Sequence, residues 1–231
     1  MRTTMTTTTP SKRRPGRPSL STAAAVTPPS DEDVLQVGLA TFAELGFEAT
    51  TVRELARRLG VSHNFINDRF GNKELFWRAV VDGAMGGNFH RGLTDVLGAA
   101  HETELARLTA VIHFAVRRAN PLLHKLMSDE ALRPSTRLTY IVERYLQPII
   151  LGLTPVMAAL TRDGLIRPVP WTVFFFLMSA PSQVHAQAPL SRMLGEPVTD
   201  DLDPSELFTT LILNALRPPS PLPSASPSAS R

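Results

Sequence analysis

The sequence predicts an all-helical (all-α) protein with two successive folded parts. Over residues 31–216 apolar residues recur at spacings of three and four, which places them on one face of a helix. No run in this range shows the strict alternation of apolar and polar residues that is typical of a half-buried strand. The absence of cysteine excludes a disulfide framework, a thiolate zinc site and a cysteine nucleophile.

Both ends of the 231-residue chain are low in complexity. Residues 1–30 are rich in Thr and Pro and carry basic but no acidic side chains, and residues 217–231 consist mainly of Pro and Ser. Such segments bury too little apolar surface to offset the entropy lost on ordering. We therefore expect a disordered basic arm over 1–30 and a disordered tail over 217–231.

Capping residues mark the first two predicted helices. Ser30 can cap the first helix, whose first turn is acidic as the helix dipole favours, and Gly46 ends it. Thr51 is the next candidate N-cap. A short amphipathic helix follows it over residues 52–59 and ends at Gly60.

The next segment completes a recognisable DNA-binding pattern. Ser62 is expected to cap a third helix that runs from His63 to about Phe70, and Lys73 opens a fourth helix after a Gly-Asn turn. Two short helices joined by three residues have the spacing of a helix-turn-helix, in which the second helix enters the major groove of DNA. Residues 31–86 are therefore predicted to form a helix-turn-helix DNA-binding domain.

Residues 87–216 are apolar enough for a second helical domain. Pro148 and Pro155 are expected to bend one of its helices, because proline removes a backbone hydrogen bond. The predicted helices span residues 101–119, 121–132, 135–162, 171–187 and 204–216.

The helix-turn-helix region is similar to a known family in more than its spacing. Many positions over residues 34–80 agree in register, chiefly Leu45-Gly46-Phe47, Thr50-Thr51-Val52-Arg53-Glu54-Leu55-Ala56, Leu59-Gly60-Val61-Ser62 and Asn72-Lys73-Glu74. This region closely resembles the DNA-binding region of the TetR family of bacterial transcriptional regulators. The resemblance implies an all-helical homodimer that usually represses transcription and that a small ligand in the C-terminal domain releases from its operator.

The resemblance also implies which residues contact DNA. Thr51, Arg53 and Lys73 would contact phosphates, a role that suits a helix N-terminus and basic side chains. The third predicted helix would supply the contacts within the groove, from Ser62, His63, Asn64, Phe65, Asn67 and Arg69.

Two positions in that helix depart from the family pattern. Asn67 stands where the family usually has Tyr, and Arg69 stands where His or Tyr is common. Asn67 could read adenine or bond a phosphate, and Arg69 could contact the backbone or reach guanine. Asp68 could accept from cytosine, pair with an arginine or face solvent. Acidic residues outnumber basic ones over 31–86, although most of the acids belong to the first helix.

The basic arm contains Lys12-Arg13-Arg14-Pro15-Gly16-Arg17-Pro18, which is similar to the Gly-Arg-Pro core of an AT-hook. In that reading Arg17 would enter the narrow minor groove of A·T tracts, where the negative potential is enhanced. Pro15 stands where a hook usually has Arg, and a solvated basic tail is the alternative.

The C-terminal domain is expected to sense a small apolar ligand and to dimerise. The expected pocket has an apolar lining with a few polar tips, from His113, Phe114, Met127, Tyr140 and Met157. By the resemblance, the last two long helices form the dimer interface, whereas an ordinary core helix would explain their aromatic residues equally well. The residues concerned are Trp171, Phe174, Phe175, Met178, Leu207 and Leu211.

Motifs of other functional classes are missing from the sequence. It contains no Gly-rich phosphate loop, no Gly-x-Ser-x-Gly elbow and no His-Glu-x-x-His pair, so we expect neither an enzyme nor a cofactor or metal. No apolar stretch reaches the roughly 18 residues of a membrane helix, and no secretory signal follows Met1, which predicts a cytoplasmic protein. The alternatives are an architectural DNA-binding protein without a ligand switch and a helical enzyme that has lost DNA binding.

Overall fold

A computed structural model describes residues 29–86, 88–195 and 204–219. Within these ranges all regular structure is helical, which confirms the predicted fold class. The predicted disorder of the arm and tail and the hook-like segment around Arg17 fall on residues 1–28 and 220–231, outside the described residues. The helices are α1 (Asp31–Ala49), α2 (Val52–Leu59), α3 (Phe65–Phe70), α4 (Lys73–Val81), α5 (Asn88–Gly98), α6 (Glu104–Arg117), α7 (Pro121–Glu130), α8 (Thr136–Ile141), α9 (Gln147–Arg162), α10 (Trp171–Ala186), α11 (Ala188–Leu194) and α12 (Pro204–Leu216).

The helix ends in the N-terminal part follow the predicted caps. The Ser30 hydroxyl accepts from the Asp33 amide at 3.2 Å at the start of α1. Gly46 has φ +75° and interrupts α1, as expected of a glycine at a helix end, although one more helical turn follows to Ala49. The bounds of α2 are those predicted, with Thr51 and Gly60 as its caps.

One hydrophobic core joins the N-terminal helices to the C-terminal part. Phe42, Phe76 and Trp77 of α1 and α4 are fully or almost fully buried. Leu126 of α7 and Ile141 of α8 belong to the same buried cluster. The helices α1, α4, α7 and α8 therefore share one buried apolar interior.

A second core holds the C-terminal helices together. It combines Leu108 and Ile112 of α6, Leu153 and Leu160 of α9, and Leu216 of α12, each at most 2% exposed. The predicted bounds of α12 are those observed, and α10 ends one residue earlier than predicted.

Several elements differ from the prediction. The sequence did not predict α5 or α11, and α6 begins at Glu104 instead of His101 because Thr103 caps it. The long helix expected over 135–162 contains a π-helical turn, Val142–Leu146, directly before Pro148, and a second π-helical turn, Asp82–Gly86, extends α4. Pro148 cannot donate a backbone hydrogen bond, and the wider π turn lies where that bond would be missing.

Candidate DNA-binding surface and ligand cavity

The turn between α2 and α3 is fixed by backbone geometry. Thr51 caps α2 by accepting from the Glu54 amide at 3.1 Å. Gly60 adopts a left-handed conformation with φ +67°, and the Val61 amide donates to the Ala56 carbonyl at 3.0 Å, which closes the end of α2. The exit direction of the chain, and with it the angle of α3, is set by these bonds.

Helix α3 presents one buried and one exposed face. Ile66 is fully buried in the first core, and Phe65 and Phe70 pack partly against it. The opposite face exposes Asn67 and Asp68, whose side chains form no hydrogen bond or ion pair within the described part of the chain. Polar groups without internal partners on a fixed helix are free to bond base edges.

The start of α3 differs from the prediction. Residues 61–64 form a turn, and α3 begins at Phe65, two residues later than expected. The Ser62 carbonyl accepts from the Phe65 amide at 3.1 Å, and the Ser62 side chain does not cap the helix. Ser62, His63 and Asn64 are exposed and precede the recognition helix as a loop.

Two of the cations expected to contact DNA are bound to protein groups. Arg69 forms an ion pair with Asp31 at the start of α1 and lies 5.8 Å from the Phe65 ring centroid. The Lys73 ammonium donates to the carbonyls of Phe47 at 2.9 Å and Thr50 at 3.0 Å. Lys73 therefore ties the start of α4 to the end of α1, and Arg69 ties α3 to the start of α1.

The arginines of α2 differ in their partners. Arg57 and Arg58 both bond Glu54, and Arg58 also bonds Glu44 at 2.6 Å. These hydrogen bonds lower the pKa of Glu54 to about 2. Arg53 is exposed, and no ion pair of its side chain occurs among the described residues. Among the described residues, Arg53 is thus the cation of α2 that has no ion pair.

A cavity of about 200 Å³ lies in the C-terminal part, between the π-helical turn after α4 and helices α5, α6, α7, α9 and α10. Its wall is mostly aliphatic and aromatic. The residues that line it are Ala84, Met85, Phe89, Leu93, Val111, Ala115, Arg118, Ala119, Asn120, Leu123, His124, Met127, Leu146, Ile149, Ile150, Leu153, Trp171, Phe174, Phe175, Met178, Ser179 and Ser182.

Of the five residues expected to line a pocket, the structure places only Met127 in this wall. The Phe114 ring packs against α5 instead, where a Cβ on Gly92 would meet it at 2.5 Å. Met157 packs in the second core, and the Tyr140 hydroxyl bonds Asp82. His113 lies on α6 two residues from Val111, a wall residue, and so faces away from the cavity.

A partly buried polar cluster connects the cavity wall to the end of α4. Asp82, at the end of α4, accepts from the Tyr140 hydroxyl at 2.6 Å and from the Tyr145 hydroxyl at 2.5 Å. Burial and the bond to Asp82 raise the pKa of Tyr140 to about 12 and raise that of Tyr145 further. The turn that begins at Asp82 carries the wall residue Met85, and Leu146 of the wall follows Tyr145.

This cluster could hardly be predicted from the sequence. Tyr140 and Tyr145 are five residues apart, and on a regular α-helix such residues point in directions about 140° apart. The π-helical turn between them brings both hydroxyls to one carboxylate. Pro148 was the available signal, because it predicts irregular backbone just before it.

Comparison with known proteins shows which family this region resembles. Residues 34–80 match the model of the bacterial regulatory proteins of the tetR family. The helix-turn-helix region is therefore similar to the DNA-binding region of that family. No curated protein matches the chain significantly.

Solved structures extend the likeness to the whole TetR-like fold. The ketosteroid transcriptional regulator KstR2 of Mycobacterium tuberculosis is 20% identical, with 82% of this chain and 96% of that chain covered and a TM-score of 0.61. A proposed fatty acid metabolism regulator of Clostridium perfringens is 18% identical, with coverages of 79% and 97% and a TM-score of 0.63. The chain thus has the fold of a TetR-family transcriptional regulator, which supports a DNA-binding regulator.

Of the residues expected at a TetR-type dimer interface, some line the cavity and others lie at the surface. Trp171, Phe174, Phe175 and Met178 all contribute to the cavity wall. Phe175 is also 41% exposed, so it belongs to both the wall and the surface. On α12, Leu207 is half-buried and Leu211 is 52% exposed. The apolar surface of α10 includes two residues not singled out from the sequence, Val173 and Phe176.

Two further kinds of site were sought in the structure. None of the described helices is both long and apolar enough to cross a membrane. Over the described ranges, no three His, Asp or Glu side chains come together as metal ligands.

Proposed function

We propose that this TetR-like chain is a dimeric, sequence-specific DNA-binding repressor whose release from its operator is controlled by a small molecule in the C-terminal cavity. The observation that carries the proposal is the exposed face of α3. Asn67 and Asp68 stand free on a helix that Ile66 anchors in the core. Because the target is DNA, the protein would act in the cytoplasm of a bacterium.

The exposed groups suit direct readout of base edges. The Asn67 amide can bond the N6 and N7 atoms of adenine in a bidentate manner, and Asp68 can accept from the N4 amine of cytosine. His63 and Asn64 precede α3 and are exposed on its N-terminal side, the part of a recognition helix nearest the bases. Phe65 is half-buried and offers its remaining surface to a thymine methyl group.

Phosphate contacts would come from few groups of the folded domain. Thr51 and Arg53, both exposed at the start of α2, are placed for one strand of the backbone. Other candidate residues already form bonds within the protein. These are the side chains of Arg69 and Lys73 and the backbone carbonyl of Ser62. We therefore assign much of the non-specific affinity to the basic arm, with Arg17 in the minor groove.

The exposed apolar surface of α10 and α12 supports the proposed dimer. Val173 and Phe176 lie three residues apart on one face of α10, and they are 48% and 59% exposed. Leu211 adds apolar surface from α12, which packs against α10. Covering this face with a second copy of the chain removes apolar area from water. The dimer then carries two helix-turn-helix domains, which raises its affinity for a palindromic site.

Control by a ligand would use the contact between the cavity and α4. Met85 belongs both to the cavity wall and to the turn that continues α4. A ligand that displaces this side chain moves the end of α4, and Asp82 carries the movement to α8 through two tyrosines. The distance between the two recognition helices of the dimer then no longer matches successive major grooves.

The names of two neighbours agree with an apolar effector. One is a ketosteroid transcriptional regulator and the other a proposed fatty acid metabolism regulator. The cavity of this chain is likewise walled mainly by apolar side chains. The neighbours are regulators, which favours a regulator over an enzyme for this chain.

Selection of bound duplexes from a random DNA pool tests the proposed function. The full-length protein should enrich a palindromic consensus with half-sites about one helical turn apart. Enrichment of A·T tracts alone would instead indicate an architectural protein that binds through its arm. Absence of any enrichment would contradict the proposal.

A further inference from the structure

The charged and nitrogen-bearing polar side chains of the cavity wall are concentrated at the turn between α6 and α7. Arg118, Asn120 and His124 all come from this turn and the start of α7, whereas α10 adds the hydroxyls of Ser179 and Ser182. The buried part of the wall is mainly apolar, with Met85 and Leu153 at most 3% exposed. The cavity is therefore amphipathic, with a polar mouth and an apolar interior.

The mouth carries positive charge without a matching acid. Among the residues that line the cavity, Arg118 is charged and none is Asp or Glu. Burial lowers the pKa of His124, so its ring is neutral near pH 7. The net charge that a bound molecule meets is thus the single positive charge of Arg118.

The Arg118 guanidinium is available to a ligand. Arg118 is exposed, and its guanidinium lies 5.9 Å from the centroid of the Phe114 ring. It forms no ion pair within the described residues, whereas Arg58 and Arg137 are each held by glutamates. Asn120 already uses its Oδ1 to cap α7, which leaves the amide N–H groups as donors.

We propose that the cavity binds a small amphipathic anion whose carboxylate pairs with Arg118 and whose apolar body fills the interior. This inference rests on the proposed function, in which the same cavity is the effector site. Arginine offers a carboxylate two parallel hydrogen bonds, and the Asn120 amide can donate a further one. A cationic head group would be repelled by the positive charge of Arg118.

The volume limits the size of the ligand. A cavity of about 150 Å³ in another protein holds benzene, so one of about 200 Å³ suits an apolar body of about eight non-hydrogen atoms. Octanoate has a carbon chain of this size and a single carboxylate. It is therefore a suitable probe of the proposed chemistry, together with 1-octanol and octylammonium, which share its chain and differ in the head group.

The test is a calorimetric titration of the full chain with these three probes. Octanoate should bind about tenfold more tightly than 1-octanol, because a hydrogen bond to a charged group is gained, and octylammonium should bind most weakly. Arg118→Gln should remove the advantage of octanoate and leave the affinity for 1-octanol unchanged. Arg117→Gln removes the neighbouring exposed cation outside the cavity and should change neither affinity.

Other outcomes overturn the inference in recognisable ways. Equal binding of octanoate and 1-octanol, or an unchanged preference in Arg118→Gln, would show that the mouth does not select a carboxylate. Binding that survives Ala115→Phe, which fills the cavity, in a variant with an unchanged melting curve would place the probes elsewhere. If no probe binds, the cavity is not an amphiphile site, while the duplex selection still decides the proposed function separately.

Discussion

At the scale of single residues, Asp82 is the group that links ligand cavity and DNA-binding domain. Its carboxylate accepts from two phenols, and Arg144 approaches it at 3.4 Å. Tyr140 and Tyr145 are the two tyrosines of the chain, so a spectroscopic signal of tyrosine reports on this cluster alone.

We predict that the folded protein resists deprotonation of its tyrosines. Both phenols have raised pKa values, that of Tyr140 about 12 against an ordinary value of 10.0, because burial and Asp82 favour the neutral form. Their contribution to stability is present below pH 10 and is lost as the pH rises through about 12. Ultraviolet absorbance of tyrosinate should stay low in the native protein at pH 10.5 and appear in urea. Titration at the same pH in both states would contradict the cluster.

A second prediction at this scale concerns base readout. Asn67→Ala should relax the base preference at one position of each half-site. The free energy of binding to the preferred sequence should weaken by about 1–3 kcal/mol. Because Asn67 is exposed, the variant should remain folded. Repeating the duplex selection with the variant measures this. Gln147→Ala, an exposed amide on α9, is the matched control and should leave the consensus unchanged. An identical consensus for Asn67→Ala would remove Asn67 from readout.

At the scale of elements, α1 and α4 approach closely because α1 carries a glycine at the contact. A Cβ at Gly38 would lie 2.6 Å from a Val80 methyl group and 2.7 Å from the Phe76 ring. Both neighbours are buried, so neither can move away without disturbing the core. The start of α4 is also tied to α1 by Lys73.

Gly38→Ala should therefore destabilise the fold by about 1–3 kcal/mol through overpacking, although alanine favours helices. Gly98→Ala, at the end of α5 with open space around the new Cβ, should be neutral or slightly stabilising. Urea denaturation of the two variants measures the difference. Equal stability would show that α1 and α4 are not packed as described.

The accuracy of the sequence-based prediction also varies by element. The ends of α2 and α12 were predictable because caps and periodicity agree there. Helix α5 was missed because four of its flanking and internal residues are glycines, Gly86, Gly87, Gly92 and Gly98, which lower helix propensity. Its formation depends on packing against α6, where Gly92 receives the Phe114 ring.

The candidate functional regions also differ in how well the sequence predicts them. The helix-turn-helix was predictable because its residues are adjacent in the chain and its spacing is fixed. The cavity was not, because its wall combines residues from five helices and both π-helical turns, and no local pattern shows which side chains meet. The pairing of Arg69 with Asp31 likewise joins distant positions, and the sequence could not exclude a DNA contact instead.

At the scale of the whole molecule, the two parts are joined by charge as well as by the shared core. Arg137 of α8 donates to Glu130 of α7 at 2.8 Å and also reaches Glu48 and Glu74, and its guanidinium lies 3.7 Å from the centroid of the Phe47 ring. Glu130 is buried, so this contact holds α7, α8 and the DNA-binding helices together. The N-terminal helices are thus held in part by α7, which also lines the cavity.

The oligomeric state is predicted to depend on the exposed face of α10. The wild-type chain should sediment as a dimer at micromolar concentration, and Phe176→Asp should convert it to a folded monomer by placing a charge in the interface. Leu151→Asp, on an exposed position of α9, is the control and should remain a dimer. A monomeric wild-type chain, or a dimeric Phe176→Asp variant, would contradict this arrangement.

The central claim is that α3 reads a specific DNA sequence in the context of a dimer. Its most direct test is the ratio of the affinity for the selected duplex to that for a scrambled duplex of equal composition, measured by fluorescence anisotropy at physiological salt. A sequence-specific regulator should give a ratio of about 10³ or more. A ratio near one would show that the protein binds DNA through charge alone and would contradict the account.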